Sequence, residues 1–239
     1  MKLGSLLLFI ALCSFSGAKN AEGVLADMYK RYHGNWYKSF TFTQTTEHYR
    51  NDSLQRTSTW YEAIVFPDKF RIDFGDKKEG NAVIYLKDSV YSFRKGQLAR
   101  TGFNDDDLTF LLGGMYFYPF DTVKVKMQRQ GYDLAKFCED TWQGQPVFII
   151  GATNKDERTN QLWIDKTKLV VLKFVKFEGD NKEEGVFSGH KQFGKAWSET
   201  ACDFYVNGKL IQKEKYYDCK ANTDIDLSIF NPAKFSVEK

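Results

Sequence analysis

The chain has 239 residues, with 34 basic and 31 acidic side chains and a formal net charge of +3. Its pI of about 8.5 falls short of the strongly basic character of a dedicated nucleic-acid binder, so no nucleic-acid partner is expected. Aromatic residues make up 16%, including 21 Phe and 13 Tyr. Such side chains favour pleated surfaces and bury large areas, which points to a β-rich protein with an extensive apolar interior.

Met1 to Ala18 carry the three zones of an export signal: Lys2, an apolar run from Leu6 to Leu12, and the small residues Ser16-Gly17-Ala18. The mature chain is predicted to begin near Lys19, with residues 19–239 forming one domain. The apolar run is shorter than the roughly 20 residues that span a bilayer, and no later segment qualifies. The expected location is therefore exported, without a membrane span. Cys13, behind Ile10-Ala11-Leu12, supplies a minor alternative of lipid anchoring through a lipobox-like sequence.

Leu25, Met28, Tyr29 and Tyr32 share one helical face, which predicts a short amphipathic helix from Ala21 to Tyr32, ended by Gly34. From Trp36 the period becomes two, with Phe40 and Phe42 alternating with Thr41 and Thr43 up to a turn at Asn51-Asp52-Ser53. The return strand, Thr57 to Phe66, sets Trp60, Glu62 and Ile64 on one face. After Pro67-Asp68, Phe70, Ile72 and Phe74 alternate with Arg71 and Asp73, and strands near Ala82 to Leu86 and Val90 to Phe93 complete a meander closed at Lys95-Gly96. Asn104 is placed to cap a helix whose first turn holds Asp105, Asp106 and Asp107, where carboxylates oppose the helix dipole. A second helix is predicted from an Asp121 cap to Gly131. Strands then return at Gln145 to Ala152, Asn160 to Asp165, Leu169 to Phe177 and Gly185 to Phe193, followed by a hairpin of Ala201 to Val206 with Lys209 to Tyr217 around Asn207-Gly208. Helix, strands, helices, strands in this order predict an α+β fold with helices gathered on one side of a curved sheet.

Without Cys13, Cys138, Cys202 and Cys219 remain, an odd number for an oxidising compartment. Counting through the Asn207-Gly208 turn sets Cys202 opposite Lys213 and Cys219 opposite Ala196. No disulfide framework is therefore expected, and the three read as small buried residues.

Four segments carry a resemblance: WYEAIVFPDKFRIDFGD from Trp60 to Asp76, WQGQPVFIIGA from Trp142 to Ala152, QLWIDKTKLVVL from Gln161 to Leu172, and YYDCKANTDIDLSIFNPAKF from Tyr216 to Phe235. Together they resemble the LolA/LolB superfamily of bacterial lipoprotein carriers, especially its outer membrane lipoprotein-sorting members, over nearly the whole mature chain. The resemblance implies an incomplete, half-open antiparallel β-barrel of about ten or eleven strands, helices over its concave side, and a cavity for acyl chains. It also implies a periplasmic carrier whose partners are lipid or lipoprotein acyl chains, with a further envelope protein as a candidate partner.

An acyl-chain site needs apolar area and few polar groups. The expected ligand-binding face comprises Phe42, Trp60, Ile64, Phe70, Ile72, Phe74, Tyr85, Trp163 and Phe174. Burial alone would explain any one of them; their collective excess argues for a hollow. At about 0.8 kcal/mol per buried methylene, a chain of about a dozen carbons could be held without a charged contact.

No cofactor, metal site or catalysis is expected. Asp105 to Asp107 lack the Gly and distal Glu of an EF-hand, and His33, His48 and His190 carry no zinc-ligand spacing. No nucleophile elbow, P-loop or dinucleotide fingerprint appears. The competing enzyme reading would pair Cys138 with a distant His. Two further alternatives are a lipocalin-like binder, suggested by Gly34-Asn35-Trp36-Tyr37, and a structural envelope subunit without ligand.

Overall fold

The computed structural model describes residues 20–104 and 108–236. The predicted export signal, Cys13 and the triplet Asp105 to Asp107 lie outside the described residues.

Helix α1 (Ala21–Tyr32) has the predicted bounds. The Asn20 side chain accepts a hydrogen bond from the Gly23 amide at 2.8 Å, Glu22 lies in the first turn, and Lys30 and Arg31 in the last, so both ends of the helix dipole are opposed. Val24, Leu25, Met28 and Tyr32 are fully buried. Gly34 turns the chain at φ 73°.

A six-strand meander follows: β1 (Ser39–Arg50), β2 (Ser53–Val65), β3 (Lys69–Phe74), β4 (Ala82–Leu86), β5 (Ser89–Arg94) and β6 (Gln97–Phe103). A helical stretch comes next, with α2 (Leu108–Leu111), a single 3-10 turn (Gly114–Phe117) and α3 (Phe120–Arg129). The second strand series is β7 (Phe137–Trp142), β8 (Gln145–Ile150), β9 (Gln161–Asp165), β10 (Val171–Glu178), β11 (Asn181–Ser188), β12 (Lys191–Phe193), β13 (Ala196–Ser198), β14 (Ala201–Val206) and β15 (Lys209–Ala221).

The main sheet has 13 antiparallel strands in the order β6-β5-β4-β3-β2-β1-β15-β14-β11-β10-β9-β8-β7, and β12 pairs with β13 in a separate ribbon. The two meanders are joined where β15 returns to pair with β1, and the sheet ends on β6 and β7 without closing. The fold is thus α+β with an incomplete barrel, as expected, though with more strands than the sequence signals. A lipocalin architecture does not describe it, because a lipocalin barrel is closed and removes its edges.

The two faces are covered differently. Helix α1 packs against β8, α3 and the 114–117 turn, and the main core joins these helices to the central strands. On the opposite face of β3 to β5, Ile84 and Phe93 pack with Phe230, Ile229 and Phe235 of the C-terminal segment. That segment is clamped where the Arg71 guanidinium donates to the Ile229 carbonyl at 3.0 Å and lies 5.0 Å from the Phe235 ring.

Several sequence expectations shift. Helix α3 starts at Phe120 with Pro119 at its N-cap, and Asp121 pairs with Lys124 at 3.1 Å instead of capping. The predicted strand from Gly185 to Phe193 is broken at Gly189 (φ 65°) into β11 and β12. An irregularity between Phe204 and Tyr205 moves the partner of Cys202 from Lys213 to Glu214, because one extra residue shifts register on one strand. Ala196 pairs with Phe193, not Cys219. Cys138, Cys202 and Cys219 are free thiols.

Candidate ligand-binding cavity

Because side chains alternate across a strand, the cross-strand register fixes which residues share the hollow face. One row runs Phe40, Ile64, Phe70, Tyr85 across β1 to β4; the next runs Phe42, Glu62, Ile72. A third row contains Gln44, Trp60 and Phe74, with Tyr216 opposite Gln44 on β15. These rows border a cavity of about 230 Å³, bounded opposite by Phe187, Phe204, Gln212 and Glu214 and covered by Leu108, Thr109 and Leu112 at α2. Aromatic contacts stiffen the wall. Phe42 lies 4.5 Å from Tyr216, Phe70 stacks on Tyr85 at 5.5 Å, and Trp60 meets Phe74 edge-on at 4.9 Å.

Of the residues expected to form the ligand face, Phe42, Trp60, Ile64, Phe70, Ile72 and Tyr85 line this cavity together. Phe74 stands behind Trp60. Phe174 is one layer further out, its ring 6.0 Å from the cavity-lining Phe187. Trp163 is not part of the group. Its neighbour Leu162 pairs with Phe174, so Trp163 projects from the other face, where it meets Trp142 at 6.1 Å and the Lys173 ammonium at 5.0 Å.

A second hollow of about 670 Å³ adjoins the first and shares Phe70, Tyr85 and Thr109 with it. Its lining is mixed, with Asp68, Asp88, Lys87, Lys126 and Arg129 beside Phe103, Phe110 and Tyr118.

The polar content of the first cavity is what the sequence reading missed. Glu62, Glu199 and Glu214 all border it. Glu214 accepts hydrogen bonds from Tyr216 Oη at 2.7 Å and Gln212 Nε2 at 2.6 Å; burial still pushes its pKa up, against those hydrogen bonds. Glu199 sits between β13 and β14 and also borders a small void beside Trp36, His190 and Trp197. It is half-buried between the buried Ser198 and Thr200, and desolvation lifts its carboxyl to about 7. The one legible signal was Glu62, a carboxylate in an otherwise apolar alternation with Trp60 and Ile64.

Among the described residues, no group of three or more His, Cys, Asp and Glu is placed to hold a metal ion. The three histidines are apart: a His33 ring nitrogen is 2.8 Å from the Tyr116 carbonyl, His48 lies beside Arg56, and His190 beside the Val171 carbonyl. Burial raises the pKa of all three thiols, which disfavours the nucleophilic thiolate. No described helix is long and apolar enough to cross a membrane.

An open antiparallel sheet curled around an apolar hollow beneath a helical cover defines a half-barrel of the LolA-like class. No family model matches the sequence, and no curated protein matches it. Solved structures do match. A DUF1329 family protein from Desulfovibrio piger is 12% identical with a TM-score of 0.63, over 90% of this chain and 98% of the other. An outer membrane lipoprotein-sorting protein domain, so described, from Vibrio parahaemolyticus is 15% identical with a TM-score of 0.62, over 90% and 97%. A LolA superfamily protein from Nitrosomonas europaea is 10% identical with a TM-score of 0.57, over 88% and 97%. At such identities the likeness concerns the fold, and the fold is LolA-like.

Proposed function

We propose that this chain is an exported, non-enzymatic carrier that holds the hydrocarbon part of a lipid or of a lipoprotein in the bacterial envelope. The observation that carries the reading is the cavity of about 230 Å³ walled by Phe42, Trp60, Ile64, Phe70, Ile72 and Tyr85. An interior meant only for stability packs its rings with few voids. Here ring-bearing strands leave room for about eight water-sized groups, at roughly 30 Å³ each. A chain segment of that size gains roughly 6 kcal/mol by leaving water, before the costs of ordering it.

A chain of about a dozen carbons, at roughly 30 Å³ per group, exceeds this cavity. It would continue past the Phe70–Tyr85 stack into the adjoining hollow, which shares those two residues. The short helix α2, set on the rim through Leu108 and Thr109, is the element that would shift to let it pass.

Native mass spectrometry of protein purified from its own compartment tests this. Bound lipid or lipopeptide at unit stoichiometry is expected. A ligand-free protein that also ignores added fatty alcohol and lipopeptide would overturn the reading.

A further inference from the structure

The first cavity is apolar but not neutral in character. Its described lining contains Glu62, Glu199 and Glu214 and no Lys, Arg or His. Glu214 is satisfied by Tyr216 and Gln212. The Glu199 carboxyl receives a hydrogen bond from its own backbone amide and a long one from Ser198 Oγ at 3.4 Å. The groups nearest it add no compensating charge. Tyr37 and Tyr216 are held neutral by burial, as are Cys202 and Cys219. His190, across the small void, has its pKa lowered by burial and stays neutral near pH 7. Lys168 lies over the Trp197 ring and Lys191 on β12; neither lines the cavity.

We infer that the cavity selects its ligand by charge, admitting an uncharged chain end or a protonated long-chain amine and rejecting a carboxylate or phosphate of the same length. A ligand anion would enter a mainly apolar space whose described lining carries carboxyl groups and no Lys, Arg or His to receive it, which disfavours it on both desolvation and like-charge grounds. A primary ammonium would add charge-assisted hydrogen bonds to the amide and hydroxyl donors Glu199 already has, and these are the stronger kind. Ionisation of Glu199, whose carboxyl titrates at about 7, sharpens the discrimination on the alkaline side. Below that range, all three ligand classes face a more nearly neutral wall.

This inference rests on the cavity being a ligand site, so the experiment separates the two. Octylamine, octanol and octanoate compete for the protein against the neutral fluorescent probe N-phenyl-1-naphthylamine at about pH 6 and about pH 8.5, on either side of the Glu199 transition. Octylamine should bind about tenfold tighter than octanoate at the higher pH, with a smaller ratio at the lower. Glu199→Gln should collapse the ratio and remove its pH dependence; Glu214→Gln offers a second reading if that variant folds poorly. If no compound displaces the probe, the carrier reading itself fails. If octanoate binds as well as octylamine at both pH values, the charge selection is wrong while the carrier reading stands.

Discussion

The ring of Phe174 on β10 lies across Gly185 on β11, so close that a β-carbon at position 185 would stand 2.3 Å from its Cε1. Phe174 is only 7% exposed and has Phe187 6.0 Å away, so the ring has nowhere to retreat. The glycine is there to let an aromatic ring pack flat on the neighbouring strand. Gly185→Ala should therefore cost about 1–3 kcal/mol, the usual penalty of overpacking, read as a lower midpoint in urea. Because Phe187 lines the cavity, the variant should also weaken ligand binding.

Opposite faces of the sheet give opposite functional outcomes for similar truncations. Phe42→Ala removes a ring tilted against Tyr216 at 4.5 Å on the cavity wall, and Trp163→Ala removes a comparably buried ring from the other face. Each should cost about 3–5 kcal/mol of stability. Only Phe42→Ala should change the preferred chain length, moving it upward as the cavity widens. A binding series with alcohols of increasing length, run on both variants, checks this; an equal shift in both would contradict the placement of the site.

Much of the frame was legible. Helix α1, β4 and β14 have the bounds the sequence predicts, because each combines clear periodicity with a cap or a tight turn at its end. Strands β6 and β7 escaped notice for one shared reason. They are the sheet edges, and β6 leaves Leu98 54% and Phe103 75% exposed, so no burial alternation marks it. Period two told which side chains share a face but not which face is hollow. It put Trp60 and Ile64 together on the face that borders the cavity and gave no side for Trp163, since every residue of β9 is buried. Glu199 could not be read at all, since it lies between β13 and β14 and reaches the cavity only through the tertiary fold.

The C-terminal segment should behave as an integral cover for the second apolar cluster. Phe230 is 1% exposed against Ile84 and Phe93, and Phe235 stacks on Phe93 at 3.9 Å. Phe230→Ala should cost about 3–5 kcal/mol. Arg71→Ala should also destabilise, because it leaves Asp73 without the partner now 2.7 Å away and frees the Ile229 carbonyl. Hydrogen exchange should show faster loss of protection in β3 to β5 than in β9 and β10 for both variants.

The thiols give a separate check on packing. Cys202 is 1% exposed, whereas Cys138 and Cys219 are only partly covered. A thiol reagent near pH 7 should modify Cys138 and Cys219 slowly and Cys202 only on unfolding, since burial raises all three pKa values. Rapid reaction of Cys202 in the folded protein would show that β14 opens locally.

The buried carboxyls predict an unusual slope of stability with pH. Glu199 titrates at about 7 in the folded chain against 4.5 ordinarily, and Glu214 is shifted the same way. A raised folded pKa means the folded state holds the proton more tightly, so these groups favour folding fully below about pH 4.5 and progressively less as pH rises through 7. Glu157 opposes them at the acid end. Lys136 and Thr153 hold its carboxyl down to about 2, so its contribution is present above its ordinary pKa and fades as pH falls toward 2. Thermal stability should therefore peak in mildly acidic buffer and decline toward pH 8. Glu199→Gln keeps the neutral form at every pH and should flatten the decline, recovering on the order of 2 kcal/mol at pH 8. A variant whose melting temperature falls with pH as steeply as that of the wild type would show that Glu199 is solvated and ionised in the folded protein.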